Sequence, residues 1–276
     1  MNTAFVKMQG LGNDFVVIDA IRQPFHLDAD QIRRLADRHF GVGCDQVLVV
    51  ERPWSSGAHF GYRIFNADGS EVAQCGNGAR CFARFVREQS LTDADEIVVD
   101  TAAGRLLLYP HSDGQVAVDM GIPRHAPAEI PLAAPRESRS YKVHAEDRDV
   151  EFGAVSMGNP HAVLMVDEAA TAPVQRVGAS LECHPIFPEK ANIGFMEVID
   201  RHHIRLRVFE RGVGETLACG SGACAAAVVG IERGALDDPV RVDLPGGTLK
   251  ISWSGRGQPV LMTGPAVTVF RGEIDL

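Results

Sequence analysis

One short stretch of the sequence occurs twice, and this repeat limits the chain to folds built from two related halves. The first copy, FNADGSEVAQCGNGAR, occupies residues 65–80, and the second copy, FERGVGETLACGSGA, occupies residues 209–223. A shift of 144 positions aligns seven identical pairs: Phe65/Phe209, Glu71/Glu215, Cys75/Cys219, Gly76/Gly220, Gly78/Gly222, Ala79/Ala223 and Ala83/Ala227. Because the period is about half of the chain, the sequence predicts two related lobes and not a solenoid.

Each copy is predicted to be a strand, a turn and then a Cys-Gly-x-Gly step into a helix. Glycine leaves the backbone open to a ligand, and the first N–H groups of a helix have no partner within the helix. A helix N-terminus therefore favours an anion such as a carboxylate, and it favours thiolate over thiol at a nearby cysteine. The repeat predicts that Cys75 and Cys219 form a pair that faces a ligand from two lobes.

Composition and charge exclude several classes of protein. The 276 residues are 45% hydrophobic and 23% charged, which is typical of a soluble globular protein. The net charge of -9, with no basic block, argues against a nucleic-acid partner. The N-terminal residues do not resemble a secretory signal, and no apolar run is long enough to cross a bilayer, so we expect no membrane partner and a cytoplasmic location.

The six cysteines indicate neither a disulfide framework nor a zinc site. A disulfide framework is typical of small secreted chains, and the sequence contains no C-x-x-C pair. Four of the six are interpreted as small buried hydrophobic residues, namely Cys44, Cys81, Cys183 and Cys224.

Apolar patterns in the first half predict strands and two helices. The strands are expected at residues 5–8, 15–18, 46–50, 60–65, 96–101, 105–109 and 116–120. A capping box at Asp28 and Gln31 predicts a helix that reaches about His39 and buries Ile32, Leu35 and Ala36. The helix after Cys75 carries an arginine stripe that is predicted to be exposed to solvent, formed by Arg80, Arg84 and Arg87.

The second half is predicted to echo the first after a proline-containing crossing at residues 122–139. Strands are expected at residues 162–166, 193–198, 205–209, 240–244, 249–253, 260–263 and 266–270. The helix after Cys219 is apolar on every side and should be buried. The sequence thus predicts an α+β fold of two pseudo-symmetric lobes, each a curved and mostly antiparallel sheet wrapped around a central helix. The expected lobes are residues 1–121, with 266–276 returning to them, and 122–265, with the active site in the cleft between.

The twin cysteines allow three interpretations. As plain core residues they would not account for the polar side chains at the helix starts, because convergent polar groups are typical of small-molecule sites. Thiol redox chemistry is less favoured, since redox pairs are usually close in sequence, although a disulfide could form as an oxidised, inactive state. The third interpretation is inversion of a carbon by two bases, in which one thiolate removes a proton and the opposite thiol supplies another.

Several motifs, taken in order, resemble those of the diaminopimelate epimerases. They are Gly12-Asn13-Asp14-Phe15, Gly43-Cys44-Asp45-Gln46, Phe65-Asn66-Ala67-Asp68-Gly69-Ser70, Cys75-Gly76-Asn77-Gly78-Ala79-Arg80, Gly158-Asn159-Pro160-His161, Glu210-Arg211-Gly212-Val213-Gly214-Glu215-Thr216 and Ala218-Cys219-Gly220-Ser221-Gly222. The match covers essentially the whole chain. The resemblance implies an enzyme that needs no cofactor or metal and interconverts LL- and meso-2,6-diaminopimelate in lysine and peptidoglycan precursor synthesis.

The same resemblance implies a role for each matching residue. Cys75 and Cys219 would be the catalytic base and acid, with His161 and Glu210 tuning the pKa values of the thiols. The implied substrate-binding residues are Asn13, Gln46, Asn66, Gly76, Asn77, Asn159, Asn192, Glu210, Arg211, Gly220 and Ser221. Arg211 is suited to a distal carboxylate, which it can bind through two parallel hydrogen bonds.

Two positions depart from the family pattern, and two other functions remain as alternatives. Cys44 occupies a place where a larger, often aromatic residue is expected, and Phe270 one where a tyrosine linked to dimer contacts is expected. A homodimer is nevertheless the expected assembly. The alternatives are a proline or hydroxyproline racemase of the same architecture and a non-catalytic two-lobe protein that binds amino acids.

Overall fold

Strands supply most of the regular structure, and the fold is α+β, which confirms the predicted class. The computed structural model describes residues 2–73, 75–146 and 148–276. In these residues no helix is both long enough and apolar enough to cross a membrane.

The described elements follow one another with short connections. Up to residue 119 they are β1 (Asn2–Gly10), β2 (Asn13–Asp19), α1 (Ala29–Ala36), β3 (Gln46–Glu51), β4 (Phe60–Asn66), β5 (Glu71–Val72), α2 (Gly76–Glu88), β6 (Ile97–Thr101), β7 (Gly104–Pro110) and β8 (Gln115–Asp119). The later ones are β9 (Tyr141–Ala145), β10 (Arg148–Ser156), β11 (Pro160–Met165), α3 (Val174–Glu182), β12 (Asn192–Asp200), β13 (His203–Glu210), β14 (Gly214–Thr216), α4 (Gly220–Glu232), β15 (Val240–Leu244), β16 (Gly247–Ser252), β17 (Leu261–Pro265) and β18 (Val267–Asp275).

The chain divides into two compact units with the same order of strand pairing. Unit 1 contains Met1–Asp119 and Thr263–Leu276, and unit 2 contains Met120–Met262. In unit 1, β1 is antiparallel to β2, β2 parallel to β3, β3 antiparallel to β4, β4 parallel to β6, and β6 antiparallel to β7. In unit 2 the same sequence of pairings joins β10, β11, β12, β13, β15 and β16. Each unit is therefore a mixed, mostly antiparallel sheet.

The register of the strands repeats as well. Phe65 lies opposite Glu71 in unit 1, and Phe209 lies opposite Glu215 in unit 2. Both glutamates also form an ion pair with an arginine two residues before the phenylalanine, at 2.8 Å for Arg63 and 2.6 Å for Arg207. The repeated sequence thus encodes a repeated local structure and not only a repeated composition.

The central strands of unit 1 are covered on both faces, which explains their continuous apolar sequences. Val16, Ile18, Val47 and Val49 pack in one cluster with buried residues of α1. The ring of Phe15 lies on the other side, against the first turn of α2. This arrangement places the N-terminus of α2 beside the starts of β2 and β3.

The helix α4 is buried within unit 2, as its all-apolar sequence predicts, with residues 222–230 inaccessible or nearly so. Small residues let it approach the sheet closely. A Cβ atom built on Gly153 of β10 would lie only 2.4 Å from a methyl group of Val229. The close contact fixes the position of α4, and with it the position of Cys219 at the start of that helix.

The predicted arginine stripe on α2 is wrong at Arg80, which is fully buried. Its Nε donates to the carbonyl oxygen of Pro265 at 3.1 Å, and Arg84 donates to that of Ala266 at 2.8 Å. These arginines therefore hold the returning C-terminal segment to α2 instead of facing only solvent.

Other sequence predictions need correction. Cys183 is exposed and not buried, because it lies at the C-terminal end of α3, beyond the packed face of that helix. The first helix ends at Ala36, before His39, and the N–H groups of Val42 and Cys44 bind its last carbonyl oxygens. The β9–β10 hairpin and the helix α3 were not predicted.

Candidate functional site

Cys75 caps the N-terminus of α2 in unit 1. Its residue has extended backbone angles, and its sulfur accepts the N–H of Gly78 at 3.5 Å. The sulfur thus lies at the positive end of the helix dipole, where negative charge is stabilised. The glycine at position 78 is required here, because a Cβ atom would lie 2.6 Å from the hydroxyl of Tyr62.

Two asparagines lie beside this sulfur, as the sequence predicts for site residues. The Oδ1 atom of Asn13 is 3.8 Å from the Sγ of Cys75 and 3.3 Å from the Nδ2 of Asn77. The other end of the Asn13 amide, Nδ2, donates to Asp45 at 2.9 Å. Asn13 at the start of β2 and Asn77 in the first turn of α2 therefore surround Cys75 with amide groups.

Gln46 and Asn66 form a separate pair at the neighbouring strand ends. They lie opposite each other in the β3–β4 ladder, and the Nε2 of Gln46 donates to the Oδ1 of Asn66 at 2.9 Å. Asn66 in turn donates to the hydroxyl of Ser70 at 3.1 Å. These bonds orient both amides, so their remaining polar groups have a fixed direction.

A charged network behind Asn13 contains residues that the sequence did not reveal. The carboxylate of Asp14 binds Arg38 through both oxygens and the buried Lys7 at 2.7 Å. Arg38 also binds Asp45 at 2.7 Å. Burial alone would raise the pKa of Asp14, but the hydrogen bonds from Arg38 and Lys7 outweigh it and hold that pKa well below its usual range. The network keeps both carboxylates ionised beside the start of β2.

Cys219 occupies the matching position at the N-terminus of α4 in unit 2. It is 4% exposed, and its sulfur lies 3.7 Å from the Oγ of Ser221. Burial, followed by the negative charge of Glu210, raises the pKa of the Cys219 thiol well above its usual value. The group is therefore a protonated thiol in the ligand-free protein, suited to act as an acid.

A neutral histidine lies behind Ser221. The Nε2 of His161 is 3.1 Å from the Oγ of Ser221 and 3.0 Å from the Oδ1 of Asn159. Burial, with the charge of Arg211 as the second cause, lowers the pKa of His161 to about 3. The imidazole can therefore donate or accept one hydrogen bond at Nε2 but carries no charge near neutral pH.

Asn192 joins two of the predicted binding segments. It is buried, its Oδ1 accepts the backbone N–H of Arg211 at 3.0 Å, and its Nδ2 donates to the carbonyl of Pro160 at 3.0 Å. The Arg211 side chain donates to the carbonyl of Glu189 at 3.1 Å. Much of the Asn192 amide is thus used to hold the loop that carries Arg211.

Glu182 is a further residue of this half that sequence reasoning missed. Its buried carboxylate accepts the N–H of Gly212 at 2.7 Å and lies 3.7 Å from the Nζ of Lys190. Glu210, at the end of β13, accepts a short hydrogen bond from the hydroxyl of Thr216. A carboxylate near the end of the unpredicted helix α3 offered no signal in the sequence, because its partners come from a distant loop.

Each predicted site residue therefore falls at the start of α2 or α4 or at the strand ends of the same unit. Gly76 and Gly220 are the first residues of the two helices. Among residues 2–73, 75–146 and 148–276, no group of three or more His, Cys, Asp or Glu side chains is arranged to hold a metal ion. In chemical terms, each unit presents one thiol, amide or hydroxyl groups, and the N–H groups of a helix N-terminus.

The sequence matches one protein family along nearly its whole length. The family model described as diaminopimelate epimerase matches residues 5–126 and 153–269. The proteins named diaminopimelate epimerase from Nitrosomonas europaea and Thioalkalivibrio sulfidiphilus are 60% and 62% identical to it, over 276 and 278 aligned residues. Each of these alignments covers 100% of both chains.

Solved structures of lower sequence identity share the fold. A phenazine biosynthesis protein of the PhzF family from Bacillus anthracis superimposes with a TM-score of 0.71 at 18% identity, covering 100% of both chains. A hydroxyproline epimerase from Agrobacterium vitis, solved with bound trans-4-hydroxy-L-proline, gives a TM-score of 0.70 at 15% identity, covering 99% of this chain and 92% of that one. At these identities the likeness concerns the fold alone.

Proposed function

The chain belongs to the diaminopimelate epimerase family, and on that premise we propose that Cys75 and Cys219 invert one α-carbon of 2,6-diaminopimelate between them. The enzyme is an isomerase that interconverts the LL and meso forms. The observation that carries the assignment of the two cysteines is their matched placement, since each caps the helix that follows the repeated motif. The proposal needs the two units to hold one substrate between them.

The proton transfers follow from the chemistry of the two thiols. Cys219 enters as a thiol, because burial and Glu210 raise its pKa. Cys75 then acts first as the thiolate base and takes the α-proton, and its sulfur forms the new S–H bond. Cys219 gives its proton to the opposite face of the carbon and becomes the thiolate. In the reverse reaction the two roles are exchanged, so no net proton is gained or lost.

The carbanion formed between these steps needs stabilisation, because its charge spreads onto the α-carboxylate. Preorganised N–H donors at helix N-termini are suited to this charge. We assign Gly76 and Asn77 on α2, and Gly220 and Ser221 on α4, to that carboxylate. The glycines at the helix starts leave the N–H groups open to it.

The second amino-acid end of the substrate needs its own partners. Arg211 can bind the distal carboxylate, and Asn13, Gln46, Asn66, Asn159, Asn192 and Glu210 are assigned to the remaining polar groups. The bonds of Asn192 support an additional role in holding the Arg211 loop. His161, which is neutral, contacts Ser221 and tunes Cys219 through it.

We also assign a homodimer and a cytoplasmic location. The C-terminal strand β18 pairs with β1 and carries three large exposed apolar side chains, Val267, Val269 and Phe270. Sedimentation analysis of the wild-type protein and of Phe270→Glu tests this assembly. A monomer at micromolar concentration in the wild-type sample contradicts it.

Isotope exchange tests the proposed chemistry directly. Incubation with LL-diaminopimelate in deuterated water should place solvent deuterium at an α-carbon of the meso product. Cys75→Ser and Cys219→Ser should each abolish product formation while the circular dichroism spectrum stays unchanged. Near-normal turnover in either variant contradicts the two-thiol mechanism, and label in trans-4-hydroxy-L-proline with none in diaminopimelate contradicts the substrate.

A further inference from the structure

The side-chain amide of Asn13 lies between a carboxylate and a thiol. Its Nδ2 is 2.9 Å from the Oδ2 of Asp45, and its Oδ1 is 3.8 Å from the Sγ of Cys75. The two ends of an amide differ in chemistry, because the nitrogen only donates and the oxygen only accepts. A carboxylate also only accepts, so Asp45 selects the nitrogen end of Asn13 and turns the oxygen end toward Cys75.

Asp45 is itself fixed in place from two sides. The Nη2 of Arg38 donates to its Oδ1 at 2.7 Å, and the backbone N–H of Asp14 donates to its Oδ2 at 3.1 Å. Arg38 is held in turn by both oxygens of Asp14. The Asp45 side chain is 44% exposed, so these charge-assisted bonds, and not burial, determine its orientation.

We propose that Asp45 is a positioning residue for the reaction, which holds the Asn13 amide so that its oxygen faces the Cys75 sulfur. The proposal rests on the role assigned above to Cys75. An oxygen in this place accepts the S–H bond that forms when the thiolate takes the substrate proton. An NH2 group in the same place would donate to the thiolate, stabilise it and make it a weaker base.

The corresponding amide of unit 2 is held differently. Asn159 follows a glycine as Asn13 does, but the next residue is Pro160 and not an aspartate. The Oδ1 of Asn159 contacts the Nε2 of His161 at 3.0 Å. The carboxylate anchor therefore belongs to the Cys75 half alone, which lets the two thiols be tuned independently.

The test compares the pH dependence of Cys75 alkylation in Asp45→Asn and in the unaltered protein. The introduced amide keeps the shape of the side chain but can bind either end of the Asn13 amide. The pH midpoint of iodoacetamide labelling at Cys75, read by peptide mass spectrometry, should fall by about half a unit to one unit. The ionisable groups beside Cys75 are Tyr62 on β4 and Cys81 on α2, and burial raises the pKa of both, that of Cys81 to about 12. Neither group titrates in the range of the test.

The removal of one negative charge could lower the midpoint by itself, and a double-mutant cycle separates the two effects. In an Asn13→Ala background, Asp45→Asn should have at most a small remaining effect on the midpoint. If the full shift persists in that background, Asp45 acts by charge alone and the proposal is overturned. Asp113→Asn, a turn carboxylate that accepts the Gln115 N–H, is the matched control and should leave the midpoint unchanged.

The double variant Asn13→Asp/Asp45→Asn provides a rescue. It exchanges donor and acceptor between the two positions and again turns an oxygen toward Cys75, so its midpoint should return to or exceed the wild-type value. A midpoint as low as that of Asp45→Asn overturns the proposal. If Asp45→Asn does not fold, Asn13→Ala alone must lower the midpoint, and an unchanged value has the same consequence. Because labelling does not depend on turnover, these outcomes are independent of the isotope-exchange test of Cys75.

Discussion

The Nε2 of His161 lies 3.1 Å from the Oγ of Ser221, and this contact joins a buried imidazole to the hydroxyl beside Cys219. Phe15 has the matching position in unit 1, since it lies opposite Gln46 as His161 lies opposite Asn192. The two units therefore share a backbone pattern but surround their thiols with different side chains.

The burial of His161 makes stability depend on pH. The pKa of His161 is lowered to about 3 in the folded protein, whereas an unfolded histidine titrates near 6.5. As pH falls below about 6.5, the unfolded chain binds a proton that the folded chain does not, so the free energy of unfolding decreases by up to about 1.4 kcal/mol per pH unit. The loss ends near the folded pKa.

Replacement of the imidazole isolates this contribution from that of the carboxylates. His161→Gln keeps a neutral polar group but cannot titrate, so its stability deficit relative to wild type should shrink by about 2 kcal/mol between pH 6.5 and pH 5. Urea unfolding at the two pH values provides the measurement. A deficit that stays constant would show that His161 is charged in the folded state.

The sequence predicted most strands and both central helices, because their apolar patterns are set locally. It also predicted the functional importance of the two helix starts, because a cysteine followed by glycines there is suited to ionise beside a bound anion. The helix α3 was missed since it contains Gly178, a poor helix former. That glycine is required by tertiary packing, because a Cβ atom there would lie 2.6 Å from the Phe209 side chain.

Residues that depend on distant partners could not be predicted. Arg80 fits the spacing of an exposed stripe, and only the returning segment at Pro265 shows why it is buried. The role of Asp45 depends on Asn13 and Arg38, which belong to separate segments of the chain. Motifs identified the residues of the site, but long-range packing determines which groups they contact.

Alkylation should distinguish the two thiols of the site. At pH 7, iodoacetamide should label Cys75 well before Cys219, because Cys219 is 4% exposed and its pKa is raised. The exposed Cys183 reacts as well, so Cys183→Ser provides the background. Peptide mass spectrometry over a time course measures both rates, and faster labelling at Cys219 would contradict the assignment of Cys219 as the resting thiol.

Removal of the carboxylate charge at Glu210 should make Cys219 more acidic. Glu210→Gln eliminates the second cause of the raised pKa, whereas the first, burial, remains. The rate of Cys219 labelling at pH 8.5 should therefore rise several-fold, and turnover should fall by at least tenfold since the thiol becomes a poorer match for its role. An unchanged labelling rate, measured in the Cys183→Ser background, would remove Glu210 from the control of Cys219.

The repeated ion pairs should contribute unequally to stability. The Arg207 and Glu215 side chains are 24% and 20% exposed, and the Arg63 and Glu71 side chains 32% and 40%. Glu215→Gln should cost about 1–2 kcal/mol and Glu71→Gln about 0.5 kcal/mol, because solvent screens the more exposed pair. Urea unfolding measures both, and equal costs would show that the difference in exposure has no energetic consequence.

The buried arginine of α2 should be far more important to stability than its half-buried neighbour. Arg80→Ala leaves a cavity and an unbonded carbonyl oxygen at Pro265, and it should cost about 3 kcal/mol. Arg84→Ala loses a similar bond to Ala266, but that side chain is 34% exposed, so water can replace the bond and the cost should be about 1 kcal/mol. The two substitutions remove the same atoms from neighbouring turns of one helix, so a comparison of their urea midpoints isolates the effect of burial. If Arg84→Ala proved the more destabilising, the C-terminal segment would be held mainly at Ala266 and not at Pro265.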